Sequence, residues 1–139
     1  MGPEKQLTAY LKEVADRPFE WGVHDCLTFT NTAWHRMHGH GWGDDLLRRY
    51  MRNGKPLGRD AMREEYGFHA LEVLLDGRLT RVDHIPPAGA LITTRRSRRW
   101  VTGVALGICT GRHGAFVSAK GVVFMPLTDI ENGWVNPNE

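Results

Sequence analysis

Cys26 follows Asp25 directly, and His24 precedes both, in the stretch Trp21-Gly22-Val23-His24-Asp25-Cys26. A thiol attacks carbon only as thiolate, and a helix N-terminus favours that anion through its dipole and free N–H groups. Asp25 is a good N-cap, since its carboxylate can accept a hydrogen bond from an early helical N–H. Cys26 is thereby expected in the first helical turn. That placement suits a nucleophile, and His24 is the nearest imidazole in sequence that could serve as its base. The same residues also allow a plainer reading, with Cys26 a buried core cysteine and His24 an exposed turn histidine.

The second cysteine, Cys109, lies in an apolar run that reads as a strand. Two cysteines make no disulfide framework and no four-cysteine metal site, so no cofactor or metal is expected. His35, His38 and His40 cluster around the glycine-rich end of a helix and read as solvated surface. His84, before a strand, and His113, in a hairpin turn, read as structural.

The elements that must position these residues follow from hydrophobic period. Leu7, Tyr10, Leu11 and Val14 recur at helical spacing, and Pro18 lies beyond them. Cys26, Phe29, Thr30, Ala33 and Met37 share one face of a second helix, which Gly39, Gly41 and Gly43 end. The middle third is polar, with short helices expected over Asp44 to Met51, Asp60 to Tyr66 and His69 to Leu75. After Pro86-Pro87 the period falls to two. Strands are predicted over Ala90 to Thr94, Trp100 to Thr110, Gly114 to Ala119 and Val122 to Leu127, with Trp134-Val135 closing the sheet. Gly111-Arg112-His113-Gly114 and Lys120-Gly121 supply the hairpin turns. Helices first and an antiparallel meander second define an α+β fold, expected to be one domain over residues 1–139.

Composition narrows the function. A formal net charge of +2 is too mild to argue for nucleic acid, and no apolar run is long enough to span a bilayer. The N-terminus leads straight into an amphipathic pattern and not a signal peptide, so synthesis and folding in a cytoplasm are expected. Arg95-Arg96-Ser97-Arg98-Arg99 reads either as a solvated hairpin tip or as a contact for an anionic neighbour. The 5 tryptophans are many for this length; Trp34, Trp42, Trp100 and Trp134 are candidates for core or interface anchors.

Three stretches together resemble the NlpC-type papain-like cysteine peptidases. Phe19-Glu20-Trp21-Gly22 followed by Asp25-Cys26 is similar to that family's aromatic-x-tryptophan-glycine and aspartate-cysteine signature. Pro87-Ala88-Gly89-Ala90-Leu91-Ile92 resembles its first core strand, and Leu106-Gly107-Ile108-Cys109-Thr110-Gly111 its second. The resemblance covers about residues 18–37 and 87–127. Its nearest relatives would be small phage and prophage proteins associated with tail-tip genes. It implies a papain-like domain, N-terminal helices packed on a C-terminal antiparallel sheet, with Cys26 as nucleophile and Asp25 and His24 beside it. It also implies other phage tail proteins as partners and the virion tail as location, after synthesis in the bacterial host. Aligned this way, the family's catalytic histidine falls on Ala105 and its supporting polar residue near Val117. Two functions follow. One is a structural tail-tip component on an emptied peptidase scaffold. The other is an active cell-wall peptidase, acting on peptidoglycan to aid DNA entry.

Strand alternation over residues 101–109 puts Val101, Gly103, Ala105, Gly107 and Cys109 on one face. That face is nearly all small, so it is expected to meet the helix of Cys26, with Ala105 opposite the thiol.

Overall fold

The computed structural model describes residues 2–66, 71–96 and 104–137. Helix α1 (Pro3–Glu13) begins with proline at its first position, where the missing N–H costs nothing. It buries Leu7, Tyr10 and Leu11 against α2 (Cys26–His38), which buries Phe29, Thr30, Ala33, Trp34 and Met37. Gly39, with φ +82°, ends α2 in the left-handed conformation that glycine adopts without strain.

The middle third departs from expectation. Asp44 to Met51 is not a helix: a single 3-10 turn (Asp44–Leu46) is followed by a small hairpin of β1 (Met51–Arg52) and β2 (Lys55–Pro56). Arg48 holds a positive φ of +63°, which breaks the helical path expected over Asp44 to Met51, and Asn53 and Gly54, at +55° and +76°, make the hairpin turn. Two short helices follow, α3 (Arg59–Tyr66) and α4 (Leu71–Asp76), both near where they were predicted.

The C-terminal half is a six-stranded antiparallel sheet. In sheet order its strands are β3 (Thr80–Val82), β8 (Asn132–Val135), β4 (Leu91–Thr94), β5 (Ala105–Cys109), β6 (His113–Ser118) and β7 (Gly121–Pro126). The fold is α+β, with N-terminal helices and a C-terminal antiparallel sheet. Edge strand β3 is an addition to the strands expected from the sequence. The first part of the strand expected over Trp100 to Thr110, with Trp100 itself, lies outside the described residues. The turn after β6 needs its glycine. A Cβ at Gly121 would stand 2.2 Å from the Ala15 carbonyl oxygen, and the Val122 N–H bonds that same oxygen at 2.9 Å. This contact fastens the meander to the end of α1.

The sheet is buried on two sides, and the two sides differ. Val104, Leu106 and Ile108 join Leu91, Ala115, Val117 and Trp134 in a large core with the buried faces of α1 and α2. Ala105 and Cys109 pack on the opposite side, in a smaller cluster with Ala90, Ile92 and Phe116. The expectation that the small-residue face meets the helix of Cys26 is therefore overturned. Gly107 shows why: a Cβ there would lie 2.6 Å from the Phe116 ring, so smallness on this face makes room for an aromatic side chain and not for a helix.

Candidate functional site

Cys26 is the first residue of α2, and Asp25 is its N-cap, both as predicted. Asp25 is completely buried. One carboxylate oxygen accepts from the backbone N–H groups of Leu27 (3.0 Å) and Thr28 (2.9 Å). The Thr28 hydroxyl accepts in turn from the Asp25 N–H at 2.7 Å, closing a capping box. The other oxygen accepts from the Gly22 N–H at 2.8 Å and from the Tyr50 hydroxyl. Gly22, at φ +78°, turns the chain so that its N–H can reach back. Trp21 packs edge-on to the Tyr50 ring with centroids 6.5 Å apart. Residues of the aromatic motif, the cap and the β1 approach thus converge on a single buried carboxylate.

This network removes the reason to expect an activated thiol. Two N–H groups of the first turn, those of Leu27 and Thr28, are bonded to Asp25. Although Cys26 keeps partial exposure, burial first and the Asp25 carboxylate second push its thiol up to about 12. The backbone N–H of Leu106 on β5, with those of Cys26 and Leu27, offsets only part of that rise. A helix N-terminus lowers a thiol's pKa only while its donors are available. Tyr50 is raised as well, by burial and then by Asp25, so the hydroxyl stays protonated and keeps donating.

His24 does not act on Cys26. It is 3% exposed, so the reading as an exposed turn histidine fails too. Its ring stands edge-on to Phe29 at 5.9 Å, and its Nε2 has no hydrogen-bond partner. Burial and the nearby Arg17 lower its pKa, against a smaller opposing effect of Asp25. A neutral imidazole turned into the core is a packing group in this arrangement.

The β5 position to which the resemblance assigned the histidine, Ala105, is on the far side of the sheet from α2. Val117, where the supporting polar residue was expected, is buried in the large core. Cys109 is fully buried, its sulfur 3.4 Å from the Pro86 carbonyl oxygen, and burial raises its pKa. His35 bonds Asp44 at 2.7 Å, and Asn31 bonds the same carboxylate oxygen at 2.7 Å. His38 tilts over the Trp34 ring, while His40, His84 and His113 are exposed. Among the described residues no group of three ligating side chains could hold a metal ion. Arg95 and Arg96 form ion pairs within the chain, to Glu72 at 3.7 Å and Asp129 at 3.5 Å. The remainder of the arginine-rich segment lies outside the described residues. Among those described, no helix is long and apolar enough to cross a membrane.

Tyr50 is the functional residue that sequence reasoning missed. It lies 25 positions from its partner Asp25, inside a stretch that reads as a polar helix. No local pattern marks it.

Residues 2–135 match a family model described as a domain of unknown function (DUF6950), and the chain belongs to that family. No curated protein matches its sequence. Among solved structures it is similar to a wild type endolysin, LysIME-EF1, with a TM-score of 0.49 and 12% identity. The match covers 99% of this chain and 65% of the endolysin chain, so this chain spans less than two thirds of that neighbour's length.

Proposed function

We propose that this protein is a structural component of a bacteriophage tail tip, built on a papain-like scaffold that no longer performs proteolysis. One observation carries the non-catalytic half of this reading. Burial and the Asp25 carboxylate, which itself takes the Leu27 and Thr28 N–H groups, keep Cys26 a neutral thiol beside a His24 imidazole that does not bond it. The tail-tip half rests on the motif resemblance around Phe19 to Cys26 and along β4 and β5. Other tail proteins are the partners on this reading, and the virion is where the protein acts.

The test is genetic. Deleting the gene from its phage or prophage should yield defective tails by electron microscopy. Cys26→Ala should give normal particles and normal infection. A second reading, a peptidoglycan peptidase aiding DNA entry, draws on the position of Cys26 at the first residue of α2. It would replace the first if deletion left tails intact, and if Cys26→Ala slowed entry as much as deletion did.

A further inference from the structure

His24 is the side chain by which a short surface turn is fastened into the core. The turn lies between α1 and α2, and Glu20 and His24 close it by bonding each other through both backbone groups, at 3.0 and 2.8 Å. From Phe19 to His24, Glu20 and Val23 are exposed and Phe19 and Trp21 half-buried, while the His24 side chain goes fully into the core. Its imidazole stands edge-on to the Phe29 ring of α2, and that ring in turn stacks on Tyr10 of α1 at 5.7 Å. The same turn supplies two of the contacts around Asp25. The Gly22 N–H bonds the carboxylate at 2.8 Å, and Trp21 packs against Tyr50. What holds His24 inside therefore also holds part of the Asp25 network in place.

That anchor is sound only while the imidazole is neutral. Nε2 is buried without a hydrogen-bond partner, and protonation would make the ring a buried cation whose Nε2–H has nothing to receive it. Two charged groups reach the ring. Arg17 repels a proton there, and Asp25 attracts one, but the Asp25 oxygens already accept from Leu27, Thr28, Gly22 and Tyr50. From α2 the ring meets Phe29. Behind it on α1, the Tyr10 hydroxyl donates to the Phe29 carbonyl at 3.2 Å, and Glu13 is paired with Arg36 at 2.6 Å. Neither helix presents an unpaired anion to the imidazole among the described residues. Burial first and Arg17 second thus lower the His24 pKa from its ordinary 6.5. The open turn binds a proton more readily than the closed one. Closure is fully favoured above about pH 6.5 and weakens as the pH falls below it.

We infer that His24 is an acid-sensitive latch: when its imidazole takes up a proton, the ring leaves the core, the turn from Phe19 to His24 opens, and the Gly22 and Trp21 contacts around Asp25 are released. The inference draws on the turn alone and is independent of the tail-tip role. The test follows hydrogen exchange of the Glu20 and His24 amides, in the full chain labelled with ¹⁵N, at about pH 7.5 and about pH 5. Rates are compared as protection factors, which remove the intrinsic pH dependence of exchange. Protection of both amides should fall roughly ten- to thirtyfold at the lower pH, the limit for a group that protonates near ~6.5 only when the turn is open. The Ala33 and Trp34 amides inside α2 should keep theirs. His24→Gln keeps a neutral polar side chain at every pH and should abolish the difference between the two conditions, whatever it does to the turn at both. Arg17→Gln, at an exposed position, removes the repulsion and should reduce the difference while leaving the fold intact. Full protection of the turn at the lower pH, or an equal loss in His24→Gln, overturns the inference. So does an equal loss at Ala33, since the whole domain and not the turn would then be yielding.

Discussion

The two long helices begin in opposite ways. At the start of α2 a buried carboxylate gathers four donors: Leu27, Thr28, Gly22 and Tyr50 all point to Asp25. At the start of α1 the N-cap is a glycine with no side chain to offer, and the adjoining space is open. The dipole is the same in kind at both ends, but its use is not. Where the chain supplies its own anion, the helix start is structural, and a cysteine placed there gains less from backbone donors than burial and the neighbouring charge cost it. Where it does not, the donors of the first turn are left to solvent.

The largest effect should come from emptying the first of these ends. Asp25→Ala leaves three backbone N–H groups and the Tyr50 hydroxyl without the acceptor they share. Loss of a buried, hydrogen-bonded carboxylate should cost about 3 kcal/mol or more, read by urea or thermal unfolding. Asp25→Asn keeps an oxygen for the cap and should cost clearly less. If Asp25→Ala lost under about 1 kcal/mol, as at an ordinary exposed cap, the two helix starts would not differ as described.

Much of this contrast is legible in the sequence, and the misses have physical causes. Asp25 as cap and Cys26 as first helical residue follow from local residue chemistry, and the structure has both. The helices and most of the sheet follow from period, because α1, α2, β4, β6 and β7 carry their pattern within themselves. The face of β5 cannot be chosen that way. Every residue of β5 is buried, so alternation separates two sides without saying which one meets a helix. Small size misleads here because the small side houses Phe116 and Ile92. Thiol activation fails for a different reason: burial disfavours the thiolate first, and the charge of the cap residue beside it second. Tyr50 is invisible because its role is a long-range contact, and because the break just before it falls on Arg48, a non-glycine residue in the left-handed conformation.

An intermediate effect tests the chemistry of the closed end. With its thiol pushed up to about 12, Cys26 should alkylate slowly. At pH 8 its rate with iodoacetamide should be on the order of a thousandfold below that of the unfolded chain, following the thiolate fraction. The rate should keep climbing beyond pH 9, and Asp25→Asn should raise it at every pH by removing the neighbouring charge. The linked stability has a definite sign. The unfolded thiol ionises first, near pH 9, so stability falls from there until the folded thiol also ionises near pH 12. Cys26→Ser should flatten part of that fall. A plateau in the alkylation rate near pH 7 would instead indicate an activated thiol and revive the peptidase reading.

The smallest effect comes from closing the open end. Gly2 has φ −71° and ψ 163°, an extended conformation open to any side chain, and an added Cβ would meet nothing within 4 Å. Gly2→Asp therefore installs at α1 the cap that Asp25 gives α2. Glycine is itself a tolerable N-cap, so the gain in stability should be only a few tenths of a kcal/mol. The new carboxylate would take the N–H groups of Glu4 and Lys5, as Asp25 takes those of Leu27 and Thr28. Gly2→Ala supplies no oxygen and should give no such gain, so the pair of variants separates the new acceptor from the added side chain. If Gly2→Asp left stability unchanged in urea or thermal unfolding, the start of α1 would hold no donors in need of an acceptor, and the contrast between the two helix starts would reduce to burial alone.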